Sequence, residues 1–127
     1  MSAAILSRAE QIARLNDRAR QAMGLACVTV ATEGFRALPP SDQSRVRELI
    51  ETFDAFSPDN DPYGERDFGA IYQDSEGCWT TTRPAQRRET ILWKIDAYDR
   101  DLCFGSENPA DPAVTRRVLT IMLAEEY

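Results

Sequence analysis

Apolar residues fall on every second position in Ile91, Trp93, Ile95 and Ala97, with Leu92, Lys94, Asp96 and Tyr98 on the other side. That period suits a strand with one face on a core. Phe68, Ala70 and Tyr72 repeat the alternation. Ala26 to Thr32 is rich in β-branched residues and predicts another strand, and Cys78 to Thr82 predicts a short one. Elsewhere the period is helical. Ile5, Ala9, Ile12, Leu15, Ala19 and Met23 make one stripe, with Ser2 as its cap and Gly24 as its stop. Val46, Leu49, Ile50, Phe53 and Phe56 make a second, capped by Ser41 and stopped at Ser57-Pro58. A third begins at Asp111 as cap, with Pro112 at the first helical position, and runs through Val114, Val118, Ile121 and Met122, widened by Leu119 and Leu123. So wide a stripe needs burial. It is expected to pack on the sheet face carrying Ile91, Trp93 and Ile95, beside Ile50 and Phe53.

The order is helix, strand, helix, two or three strands, helix, without βαβ alternation. This predicts an α+β fold, with a small antiparallel sheet of three to four strands and three helices packed mainly on one face. The length of 127 residues suits one globular domain spanning 1–127. Residues 59–67 and 99–109 are polar and turn-rich, hence loops. A mobile loop is expected over 80–88, where Arg83, Arg87 and Arg88 cluster, either as plain surface charge or as a small anion or partner contact.

Charge sharpens this picture. The net charge is −6, and residues 54–111 hold 13 acidic against 6 basic residues. Such a balance argues against a binder of nucleic-acid backbones, which needs a basic footprint. No apolar run reaches about 18 residues, and the N-terminus lacks the basic start and apolar stretch of a signal peptide, so a cytoplasmic, non-membrane protein is expected. Arg8, Arg14, Arg18 and Arg20 on the first helix read as a solvated face with a Glu10–Arg14 pair.

Histidine is absent, which excludes histidine-based triads and bases. Cys27, Cys78 and Cys103 are odd in number and unpaired by any CxxC spacing, so three reduced thiols are expected and no zinc site. An EF-hand register from Asp59 finds Asp61, Gly64 and Asp67 in place but Tyr63 and Ala70 where ligands belong. Asp96, Asp99 and Asp101 read better as turn formers and arginine partners than as a metal triplet. No phosphate-binding or nucleophile-elbow motif occurs. Neither catalytic residue, cofactor nor metal is expected.

What remains is a surface. Asp59, Asp61, Glu65 and Asp67 share one loop; Asp99, Asp101, Glu107 and Asp111 share another. If the strand from Phe68 pairs antiparallel with the strand ending at Ala97, both loops open at one edge of the sheet. Their charges then add into one negative patch for a protein partner with a basic surface. The alternative is an internal network in which Arg66 and Arg100 neutralise the loops. The remaining classes are a small carboxylate- and metal-dependent enzyme and a regulatory homo-oligomer, such as a homodimer.

Phe53-Asp54-Ala55-Phe56, Asp59-Asn60-Asp61-Pro62, Asp67-Phe68-Gly69-Ala70, Trp93-Lys94-Ile95-Asp96 and Gly105 through Tyr127 resemble a family of small bacterial proteins catalogued only as a domain of unknown function. The resemblance extends from the Leu15-Asn16-Asp17 segment onward. The family is associated with α-proteobacterial plasmids and other mobile DNA. Against its pattern, roughly Ser75 to Arg88 looks like an insertion between two strands. The resemblance implies no activity. It implies a setting in which small acidic proteins bind and block host machinery, so an anti-restriction or anti-CRISPR inhibitor is the expectation it raises.

Overall fold

The computed structural model describes residues 5–127, so the proposed Ser2 cap lies outside the described residues. Helix α1 spans Arg8–Gln21, and Ser7 caps it by accepting from Glu10 N–H. Strand β1 (Val28–Ala31) follows. Thr32 then caps a four-residue helix, α2 (Glu33–Arg36). Helix α3 runs over Pro40–Glu51. Its cap is Pro39 rather than Ser41. Proline at the first helical position has the right fixed φ and no N–H to lose, so the helix starts there. Phe53 and Phe56 lie beyond its end.

The remaining elements are β2 (Phe68–Asp74), β3 (Trp79–Thr80), β4 (Arg87–Tyr98) and β5 (Arg116–Leu123), then a closing 3-10 turn, Ala124–Glu126. They form one five-stranded sheet in the order β1-β5-β4-β2-β3. The α+β class stands, with five strands instead of three to four. The sheet is mixed, because β1 pairs parallel with β5 while every other pair is antiparallel.

The main correction concerns the C-terminus, which is a strand, not a helix. Asp111 caps only a turn, accepting from Ala113 N–H. The same residues that recur at helical spacing also alternate. Arg117, Leu119, Ile121 and Leu123 take one face of the sheet, and Arg116, Val118, Thr120 and Met122 the other. Flanked by β1 and β4, β5 is bonded on both edges, and besides the core-facing Leu119, Ile121 and Leu123 it carries Val118 and Met122 on its other face. That double apolarity is what mimics a wide helical stripe. Among the described residues there are three α-helices, the third being the short α2 and not a C-terminal helix. The loop expected over 80–88 is shorter, since β3 ends at Thr80 and β4 begins at Arg87; before it, Trp79 Nε1 donates to Asp42 of α3 at 3.0 Å.

The core lies on the face of Ile71, Ile91, Trp93, Ile95, Leu119 and Ile121, which meets Phe35, Val46, Ile50 and Phe53 from the helical side. Ile121 therefore sits directly beside Trp93 in the sheet, rather than packing down on it. Val118 and Met122 point to the opposite face, where the Tyr127 ring lies against Phe68, 6.0 Å between centroids. In this setting Ile121→Val keeps β-branching and removes one methylene, so a loss of ~0.5–1.5 kcal/mol is expected. Urea denaturation checks it; a loss above that range would mean the site cannot relax.

Candidate functional site

The register of β2 on β4 pairs Phe68 with Lys94, and β4 continues to Tyr98 opposite Arg116. Ile95 N–H donates to the Asp67 carbonyl at 2.8 Å. The loop before β2 and the loop after β4 therefore open at the same end of the sheet, as antiparallel pairing required.

At that end, none of the eight candidate carboxylates forms an ion pair among the described residues. Asp59, Asp101 and Glu107 are exposed. Asp61 accepts from the Arg66 N–H, and Asp99 from Cys103 N–H. These are turn-forming bonds of short polar side chains. They leave the charge unneutralised. Arg66 turns away from its own loop. Its guanidinium grips Asp17 of α1 through Nε and Nη2, at 3.0 and 2.7 Å, and touches Glu10. Its φ of 53° is unfavourable for a side chain with Cβ, and the Asp17 grip and the Asp61 bond hold it there. An arginine brace on this loop was foreseeable; that it draws on α1, and not on the loop acids, was not. Arg100 joins no ion pair among the described residues.

Sequence reasoning missed what ties the two loops together. Asn16 is buried on α1, donates to the Glu65 carbonyl at 2.9 Å and accepts from Arg117 Nε at 2.7 Å. Arg117 Nη2 donates in turn to the Pro109 carbonyl. A buried chain of polar groups thus runs from one acidic loop through α1 and β5 to the other. Arg20, also buried, caps the end of α3 by donating to the carbonyls of Ile50 and Glu51. A signal existed. Asn16 and Arg20 stand four apart, and Asn16 lies between Ile12 and Ala19 on the apolar side, where polar residues need partners.

The same end carries exposed aromatic surface. Tyr63 is 82% and Phe104 77% exposed, one in each acidic loop. Leu102, beside Phe104, adopts a left-handed φ of 59°.

Burial holds the Asp67 carboxyl above its ordinary value near 3.8, with Asp61 and Asp96 adding repulsion. The folded chain therefore keeps this proton more tightly than the unfolded chain. The stabilising contribution is complete below the ordinary value and is lost as pH rises through the folded one. Asp67→Asn should accordingly raise the denaturation midpoint at pH 7 and lose that advantage under acid conditions where Asp67 is protonated anyway. Urea melts at both pH values check it; an equal gain at both would assign the effect to something other than ionisation.

Among the described residues no three Cys, Asp or Glu side chains are grouped to hold a metal ion. The Asp96, Asp99, Asp101 triplet is divided, since Asp96 pairs with Lys94 at 3.0 Å. The three cysteines are free, Cys78 and Cys103 exposed and Cys27 partly so. Arg83, Arg87 and Arg88 are exposed at the opposite end of the sheet. Among the described residues no helix is long and apolar enough to cross a membrane.

Neither the curated proteins nor the solved structures contain a match to the chain. A family model described as "Protein of unknown function (DUF3768)" matches residues 31–126, a span that takes in both acidic loops, Trp93 and β5 but not α1. The chain belongs to this family of proteins of unknown function.

Proposed function

We propose that the chain is a non-enzymatic interaction module whose acidic end docks on a basic surface of a partner protein. The observation that supports this reading is the combination, in each of the two loops, of an exposed aromatic ring with carboxylates that no ion pair consumes. Aromatic side chains buried at the centre of an interface carry much of its binding energy. Charges around them select and steer the partner. Tyr63 and Phe104 are the anchors in this reading, and Asp59, Asp61, Glu65, Asp99, Asp101 and Glu107 the steering field. A protein that handles nucleic acid has a basic surface, because it must neutralise phosphates. The partner class proposed is therefore a host nucleic-acid-handling protein. The chain would act as an inhibitor, anti-restriction or anti-CRISPR in kind, encoded on mobile DNA and working in the cytoplasm by covering that surface.

Affinity capture from host lysate with mass spectrometry identifies the partner, and kinetics with the captured protein then test the surface. Asp59, Asp101 and Glu107 are exposed, and among the described residues their carboxylates bond nothing else in the chain, so Asp59→Asn with Asp101→Asn should leave the melting temperature unchanged. The pair should slow association several-fold at low salt, with the difference fading as salt screens it. Tyr63→Ala and Phe104→Ala should speed dissociation. Association and dissociation both unchanged in folded variants would remove this surface from consideration.

A further inference from the structure

In a chain of net charge −6, Arg18, Arg100, Arg116 and Arg117 line one cleft of about 660 Å³. It opens where β1 and β5 begin side by side, beneath the end of α1. None of the four arginines forms an ion pair among the described residues, although acidic loops stand nearby. Arg18 sits in the last turn of α1, where the helix dipole favours a cation. Arg117 braces the two acidic loops, but at 6% exposure it does so with no ion-pair partner among the described residues, where buried charges normally have a counter-charge. Its recorded bonds use Nε and Nη2 on neutral acceptors, Asn16 and Pro109. Nη1 has no acceptor among the described residues, yet it is not one of the fully occluded unpartnered atoms, which are Arg20 Nε and Trp93 Nε1. A donor of Arg117 therefore remains reachable in a cleft walled by three more guanidinium-bearing residues.

The rest of the lining is suited to an organic body. Leu15, Leu25, Val28 and Pro112 supply apolar surface, and Thr29 a hydroxyl. Leu25 stands 93% exposed after the turn at Gly24, whose φ of +78° sends the chain away from α1. Clefts of ~300–1,000 Å³ hold small molecules, and arginine forks match phosphate oxygens. We propose that this cleft binds a small organic phosphate of mononucleotide size, its phosphate held by the arginines and its apolar body lying against Leu25 and Val28. The cleft adjoins the acidic docking surface, because Arg100 lies between Asp99 and Asp101 of that loop, but the proposal does not rest on the docking reading.

The test is calorimetric titration of the full chain at low salt with AMP, GMP, CMP, UMP and inorganic phosphate. At least one mononucleotide should bind saturably and about ten-fold or more tighter than inorganic phosphate, a gap of about 1.4 kcal/mol. Arg18→Gln with Arg116→Gln should abolish that binding while lowering the melting temperature of the free protein only slightly, because among the described residues neither guanidinium is hydrogen-bonded or ion-paired and only the dipole contact of Arg18 is lost. Leu25→Glu, at a position too exposed to affect folding, should weaken it as well. Arg83→Gln with Arg87→Gln, at the opposite end of the sheet, should not. The proposal is overturned if no mononucleotide binds saturably at millimolar concentration, if inorganic phosphate binds as tightly, or if binding survives both Leu25→Glu and the Arg18, Arg116 pair.

Discussion

Trp93→Ala should destabilise the chain by ~3–5 kcal/mol, the range for removing a large aromatic from a core. Trp93 is fully buried at the centre of the sheet, paired with Gly69 on one side and Ile121 on the other. Phe53 and Phe56 meet it edge-on, with centroids 5.4 and 6.1 Å away, and the Arg20 guanidinium carbon lies 5.7 Å from its ring. Each such contact adds to simple area burial. Gly69 is required by the same ring, because a Cβ there would come within 2.5–2.8 Å of Nε1, Cε2 and Cζ2. The indole N–H is a liability in this site, since Trp93 Nε1 is buried with no acceptor among the described residues. Trp93→Phe removes that unsatisfied donor while keeping most of the apolar contact, so its cost should be well under half that of alanine. Denaturation midpoints with unchanged slopes give both values. Equal losses for the two variants would mean that the N–H is satisfied and the indole shape itself is what the core needs.

Asn16→Leu should cost on the order of 3–5 kcal/mol, because it strands a buried guanidinium and a loop carbonyl at once. Arg117 would keep only the Pro109 carbonyl, and the Glu65 carbonyl would lose its donor. Burial already lowers the Arg117 pKa, with attraction from Glu65 opposing it. Adding Arg117→Met to Asn16→Leu removes the stranded charge together with its partner. The double variant should therefore be more stable than Asn16→Leu alone, a strongly non-additive outcome. Hydrogen exchange offers a second readout: with the chain cut at Asn16, amides in both acidic loops should lose protection together. If the two substitutions simply add, the polar chain does not couple the loops.

The same network marks the boundary of what the residues alone disclosed. Local patterns found α1, β1, α3, β2 and β4 to within a few residues, because each has a partner-independent period or a local stop. Ser7 for Ser2 and Pro39 for Ser41 are shifts of the starting point, where several capping residues stand close together and only the packed chain selects one. The acidic loops were legible as loops, and the antiparallel pairing of β2 with β4 put them at one end. The arginines were legible only as charge. Whether Arg66, Arg100 or Arg117 would neutralise the loops depended on side-chain reach across long separations, such as Arg117 to Asn16, 101 residues apart.

The sequence by itself determined the α+β class, the alternating strands, the acidic middle of the chain and the absence of histidine chemistry, since composition and short periods act locally. The tertiary structure alone decided that Arg116–Leu123 is a strand. Its apolar residues satisfy both periods, and the slot between β1 and β4 bonds its backbone on both sides over Val118–Ile121 while turning Leu119 and Ile121 into the core. It also decided where the arginines go. A buried guanidinium is stable only beside acceptors that the fold brings together, and here these came from α1 and from a loop distant in the chain.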